Sequence, residues 1–182
     1  MNDIATSIKD NSDKPVKITI TLPTTAYFMS GIRDFTLSLI RNTTDFSEQW
    51  AYRFQSVVDE LCNNAIEHGS QPGEEIKIIF INNPSDSIEF IVEDTGTGGK
   101  DGKKAAEIAA LVEKSSTNDV PLTQLRGRGL SKIVKEWTDE LEFKDKPEGG
   151  LIVRVKKTLT DAKAKELKQE LSLAGDQTHI VV

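Results

Sequence analysis

Special side-chain chemistry is scarce in this chain of 182 residues, which holds one cysteine and two histidines. A lone Cys62 excludes an internal disulfide framework and a cysteine-based metal cluster. His68 and His179 stand far apart in sequence, which argues against a histidine zinc site. No apolar run approaches the ~20 residues of a membrane-spanning helix. The opening MNDIATSIKDNSDK lacks the apolar segment of a secretion signal. The expectation is a cytoplasmic protein without membrane contact. Positive charge is also short, and a net charge of −6 argues against a general nucleic-acid surface. That balance still admits a phosphate-bearing small ligand, held by backbone N–H groups and one or two local cations. It also leaves room for a basic protein partner.

What is present is ordinary soluble material, 37% hydrophobic and 29% charged, enough for one domain with tails. Residues 1–14 are polar and aperiodic and read as a tail. VKITITL, Val16 to Leu22, alternates like a strand and stops at Pro23. Phe28, Ile32, Phe35 and Leu39 recur at helical spacing in a helix expected from Thr24, with a break at Asn42–Asp45. The strongest helix follows Ser47, an N-cap candidate. Its apolar residues Trp50, Phe54, Val57, Val58, Leu61, Cys62, Ala65 and Ile66 keep the helical period until Gly69. Strands are expected at Ile76–Asn82 and Ser87–Asp94, joined as a hairpin. A long glycine-flanked segment, 95–128, holds one short helix, Lys104–Lys114. A helix Leu130–Trp137, strands Glu140–Phe143 and Leu151–Thr158, and a charged helix Asp161–Leu173 complete the chain. This order predicts an α+β fold, with helices on one face of a mainly antiparallel sheet.

Three stretches carry candidate chemistry. In DELCNNAIEHG, Glu60 and Asn64 are four residues apart and so lie about 40° apart on one helix face. The apolar stripe through Val57, Leu61 and Ala65 lies on the other side. Such a polar face is commonly only solvated. It can also serve as a base beside an amide oxygen suited to Mg²⁺ among phosphates and waters. In EDTGTGG, the glycines at 96, 98 and 99 let backbone approach a ligand, and Asp94 can accept from an exocyclic amine such as that of adenine. The same letters also describe a plain turn. In RGRGLSKIV, two glycines open a helix whose free N–H groups, with Arg126 and Arg128, suit phosphate. A glycine-rich surface loop reads the same way. This stretch has neither the spacing of a P-loop nor the strand-first setting of a dinucleotide fold.

Taken in order, a helix with E-x-x-x-N, a strand ending D-x-G-x-G and G-x-G-L opening a helix resemble a known superfamily. It unites the ATP-binding domains of gyrase, heat-shock chaperones, histidine kinases and mismatch-repair proteins. The resemblance runs from Val16 to Thr158 and implies the Bergerat fold, a two-layer α/β sandwich on a mixed, mainly antiparallel sheet. E-L-C-N-N-A-I-E-H-G is similar to the corresponding box of stand-alone bacterial anti-sigma-factor serine/threonine kinases. By that resemblance residues 15–158 form the ATPase domain, 99–128 its lid and 159–182 an extension. Glu60 is then the catalytic base and Asn64 the Mg²⁺ ligand. Asp94 holds the adenine amino group above Gly96 and Gly98. Arg126, Gly127, Arg128, Gly129 and Leu130 meet the phosphates of ATP or ADP. His68 falls either beside the nucleotide, as in the family, or at a helix C-terminus that favours a cation. The family's first helix offers an arginine to the partner, and Arg33 and Arg41 both stand in that region.

Nothing in the sequence resembles a phosphoacceptor helical hairpin, so a sensor histidine kinase is not the expectation. The expectation is a compact stand-alone ATPase domain that acts on a separate protein, rather than a gyrase or chaperone type that needs further domains to use hydrolysis energy. The expected activity is phosphorylation of a serine or threonine on an anti-anti-sigma (STAS-domain) partner, alternating with capture of a sigma factor. The alternative is a nucleotide-gated binding module without phosphoryl transfer. Homodimerisation through the strand Val16–Leu22 is a further expectation.

Overall fold

The computed structural model describes residues 15–96, 104–115 and 135–176. Its sheet has five strands: β1 (Val16–Pro23), β2 (Glu75–Asn83), β3 (Ser87–Glu93), β4 (Glu140–Asp145) and β5 (Leu151–Thr158). They lie in the order β1-β2-β3-β5-β4, and each described pairing is antiparallel. The helices α1 (Met29–Thr43) and α2 (Glu48–Asn64) cover one face of this sheet, giving the two-layer α+β fold.

Period-two alternation decides which sheet residues enter the core. Ile18, Ile20 and Leu22 of β1 turn toward the helices, while Lys17, Thr19 and Thr21 are exposed. On β2 and β3 the inward set is Ile76, Ile78, Phe80, Ile88, Phe90 and Val92, all buried. Against them α2 places Trp50, Phe54, Val57, Val58, Leu61 and Cys62, also buried. Phe54 meets Phe90 with ring centroids 5.4 Å apart, and Phe80 meets Phe90 edge-on at 5.7 Å. This apolar back fixes the rotation of α2 and turns its Glu60 face away from the sheet.

Element ends depart from the sequence expectation for local reasons. Helix formation after Pro23 is delayed, because the Thr25 hydroxyl accepts from Tyr27 N (3.3 Å) and caps a short 3₁₀ turn, Ala26–Phe28. α1 then runs on to Thr43, past the break expected at Asn42. Ser47 is the N-cap of α2, its hydroxyl accepting from Trp50 N at 3.3 Å. β4 extends to Asp145 because Lys144 and Asp145 still pair with Ile152 and Leu151. The short helix in the long loop is α3 (Ala105–Ser115). Of the expected helix Leu130–Trp137, only its end, α4 (Lys135–Trp137), falls among the described residues.

The last helix, α5 (Leu159–Asp176), begins directly at the end of β5, earlier than the expected Asp161. Leu159 and Ala162 are buried, and Leu159 N donates to Asp86 O at 2.7 Å. Trp50 Nε1 donates to Ala162 O at 3.3 Å, while Ser47 hydrogen-bonds Glu166. Lys157, inward-facing on β5, is 1% exposed and is neutralised by Asp139 (2.6 Å) and by Asp161 of α5. A buried ammonium is tolerated only with such partners.

Candidate functional site

The front of α2 ends in an unusual way. After Asn64 the helix widens into a π-type turn, Ala65–Gly69, before the chain becomes extended at Ser70. Such turns interrupt the regular hydrogen-bond ladder and recur at functional sites. Asn64 Nδ2 donates to Glu60 O at 2.8 Å and to Glu60 Oε1 at 2.9 Å. That bidentate use of the amide nitrogen leaves Asn64 Oδ1 with no hydrogen bond among the described residues. The expected pair is therefore one unit, a carboxylate and an outward amide oxygen on the half-exposed face of α2.

Asp94 follows β3 and is only 7% exposed. Its Oδ1 accepts from Gly96 N and Leu151 N, both at 2.9 Å. Its Oδ2 has no hydrogen bond among the described residues. Burial pushes the Asp94 carboxyl above its ordinary value, opposed by the two amide donors and by Lys146. One oxygen is thus locked to backbone and the other is a free acceptor in a dry setting, suited to an amine donor.

The contacts around Asp94 come from a helix end and a hairpin turn that are distant from it in sequence. A β-carbon added at Gly69 would lie 2.2 Å from Asp94 Oδ2, so the end of the π turn seats directly on the carboxylate. Gly96 has φ +73°, and a β-carbon there would lie 2.3 Å from Gly150 N. Gly150 has φ +98° and needs the same bareness, since its β-carbon would meet Asp94 O at 2.3 Å. Ser70 Oγ accepts from Thr95 N at 3.2 Å, and Thr95 hydrogen-bonds Glu74. The sequence signal for the second half of this setting is the doubled glycine of Pro147-Glu148-Gly149-Gly150, whose letters are those of a plain hairpin turn.

A cavity of about 180 Å³ also opens beside Asp94, lined in part by Thr21, Lys77, Glu93 and Lys146. Strand alternation puts Thr21, Lys77 and Glu93 on the sheet face away from the helices. Lys77 and Glu93 are ion-paired there at 3.1 Å. It is not on the face that Glu60 and Asn64 share.

His68 is exposed on the π turn, its ring 4.0 Å from Glu67. Gly98, Arg126, Gly127, Arg128, Gly129 and Leu130 lie outside the described residues, as does most of the expected lid. Arg33 is paired with Asp59 at 2.8 Å, beside Glu60. Arg41 is engaged by Glu48 and by the Tyr52 hydroxyl at 3.0 Å, at the far end of α2. Among the described residues no group of three or more His, Cys, Asp and Glu side chains can hold a metal ion. Mg²⁺ does not need one, because it binds through one or two protein oxygens with phosphates and water. Asn64 Oδ1 with Glu60 fits that pattern.

The two-layer α+β domain thus carries an amide–carboxylate pair on one helix and a half-locked buried aspartate after a strand. A family model for the histidine kinase-like ATPase domain matches residues 22–157, and the chain belongs to that family. A search of curated proteins returns no match. No helix among the described residues is long and apolar enough to cross a membrane.

Proposed function

We infer that this ATP-binding domain is a serine/threonine protein kinase that acts on a separate regulatory protein of the anti-anti-sigma (STAS-domain) type. Capture of a sigma factor is its alternate state, and its setting is the cytoplasm. The observation that carries the reading is the Glu60–Asn64 unit. A domain that only binds nucleotide needs Asp94 and an amide oxygen, and a carboxylate held against that amide is the additional group that phosphoryl transfer uses as a base.

In this mechanism Asp94 Oδ2 accepts from the adenine amino group and sets the register of the nucleotide. Asn64 Oδ1 would hold Mg²⁺, which would supply neutralisation of charge on the phosphates. Nδ2 of the same residue holds Glu60 Oε1, leaving Glu60 Oε2 to face an incoming hydroxyl. The hydroxyl oxygen forms a bond to the γ-phosphorus as the bond from that phosphorus to the β–γ bridging oxygen breaks, and ADP leaves. Glu60 receives the hydroxyl proton and later returns it to solvent.

The test is transfer of label from γ-labelled ATP to a STAS-domain partner, with wild type and Glu60→Ala. Loss of about 10²–10⁴-fold in transfer with nucleotide binding retained is the expected result. Transfer that survives Glu60→Ala removes the base assignment. The second reading, a nucleotide-gated binding module, draws support from the Asn64 hydrogen bond that already occupies one Glu60 oxygen. It predicts tight nucleotide binding with no labelled product in either protein.

A further inference from the structure

The hairpin between β4 and β5, Asp145 to Leu151, is attached at two places that are distant in sequence. On one side it holds the aspartate. Leu151 N donates to Asp94 Oδ1 at 2.9 Å, Asp94 N donates to Leu151 O at 3.0 Å, and Lys146 Nζ donates to Asp94 O at 3.2 Å. The bare α-carbon of Gly150 lets these strands close, and the turn is pinned by Lys146 N to Gly150 O at 2.9 Å. Lys146 is only 16% exposed and is also flanked by Glu93 (4.0 Å) and Glu148 (3.6 Å).

On the other side the hairpin holds α3. Asp145 Oδ1 accepts from Ala105 N at 2.8 Å, satisfying a donor at the start of α3 from a different part of the chain. Ala105 is 8% exposed, and α3 packs along β4. Asp145 and Lys146 are adjacent, so one residue anchors the helix and the next anchors the aspartate. The intervening backbone is in strand pairing with Leu151.

We propose that this hairpin couples occupancy of the Asp94 pocket to the order of α3, with Asp145 and Lys146 as positioning residues. A nucleotide bound to Asp94 stiffens the strand end that Leu151 and Lys146 grip. The same hairpin then holds Asp145 firmly against Ala105. By linkage the effect is reciprocal, so a well-anchored α3 tightens the grip on nucleotide. The inference rests on the nucleotide reading of Asp94 and adds a route by which the adenine end of the site reaches α3 through the β4–β5 hairpin.

Hydrogen exchange of the amides of Ala105, Glu107 and Ile108 tests this in the full chain, with and without saturating ADP, in wild type, Asp145→Ala and Asp145→Asn. ADP is expected to slow these amides by about fivefold or more in wild type. Asn keeps an acceptor oxygen, so Asp145→Asn retains the response. Asp145→Ala loses it and binds ADP several-fold more weakly, with unchanged exchange in α2 showing that the fold is intact. ADP that binds wild type without slowing these amides overturns the coupling while sparing the nucleotide reading. An equal response in Asp145→Ala and wild type also overturns it. Failure of wild type to bind ADP at all overturns the nucleotide reading, and the coupling with it.

Discussion

Gly69 and Asp94 are in direct contact, with the aspartate Oδ2 lying 2.2 Å from where a β-carbon on Gly69 would be. Gly69 is thus more than a helix terminator. Its backbone conformation suits any residue, but an alanine β-carbon there would fall 2.4 Å from Cγ and 2.6 Å from Cβ of Asp94 as well as against its Oδ2. Gly69→Ala is expected to lower the melting temperature, because Asp94 Cβ moves only with its backbone and a displaced Oδ1 leaves Gly96 N and Leu151 N without their acceptor. The carboxylate must swing away, and adenine-nucleotide affinity falls by about tenfold, the equivalent of one distorted hydrogen bond. Titration calorimetry with ADP checks it, and unaltered affinity would mean that Asp94 Oδ2 is not the adenine acceptor.

Asp94→Asn separates stability from binding. Burial raises the Asp94 carboxyl in the folded state, so folding favours the protonated form relative to the unfolded chain. Its contribution to stability is present below the unfolded value and is lost as pH rises through the folded value. At neutral pH the charge is therefore a cost to folding. Asn retains an oxygen for Gly96 N and Leu151 N but turns an NH₂ toward the adenine amine. The variant is expected to melt at the same or a higher temperature while binding ADP about thirtyfold more weakly, near 2 kcal/mol. In wild type the affinity should fall on acidification at a higher pH than an unperturbed aspartate would give.

Asn64→Ala addresses the other end of the pair. It removes the free Oδ1 and releases Glu60 Oε1 together. The expected result is ADP affinity that no longer changes when Mg²⁺ is replaced by EDTA, with the metal-free affinity near that of wild type. A metal effect of unchanged size would place the Mg²⁺ ligand elsewhere.

Legibility in the sequence followed the range of the interactions. The strands and the apolar stripe of α2 are written in periods of 2 and 3.6, and both were readable because burial on one face is a local pattern. Glu60 and Asn64 share a helix turn, so their juxtaposition was equally local. The cradle of Asp94 was not legible, because Gly69, Gly150 and Leu151 reach it from elements up to 57 residues away. A glycine that permits a turn and one that clears space for a distant carboxylate look alike in sequence. Lys157 was hidden for a related reason. The alternation of LIVRVKKT assigned it a face, but only the tertiary partners Asp139 and Asp161 make an inward lysine acceptable.

Those partners give α5 an acid-sensitive attachment. Hydrogen bonding to Lys157 draws the Asp161 carboxyl down from 3.8 to about 2. A depressed carboxyl stabilises the fold above its unfolded value, and that contribution is lost as pH falls from about 4 toward about 2. With its side chain 44% exposed, solvent screening reduces the contribution to about 1 kcal/mol. Trp50 reports the event, because its indole donates to Ala162 O and is flanked by Lys157 (4.9 Å) and Arg53 (4.5 Å). In a Trp137→Phe background, Trp50 fluorescence should shift toward that of a solvated indole across this pH window. Asp161→Asn should show part of the shift already at neutral pH and a correspondingly smaller acid step. Superimposable acid profiles for the two proteins would mean that Asp161 does not hold α5 against α2.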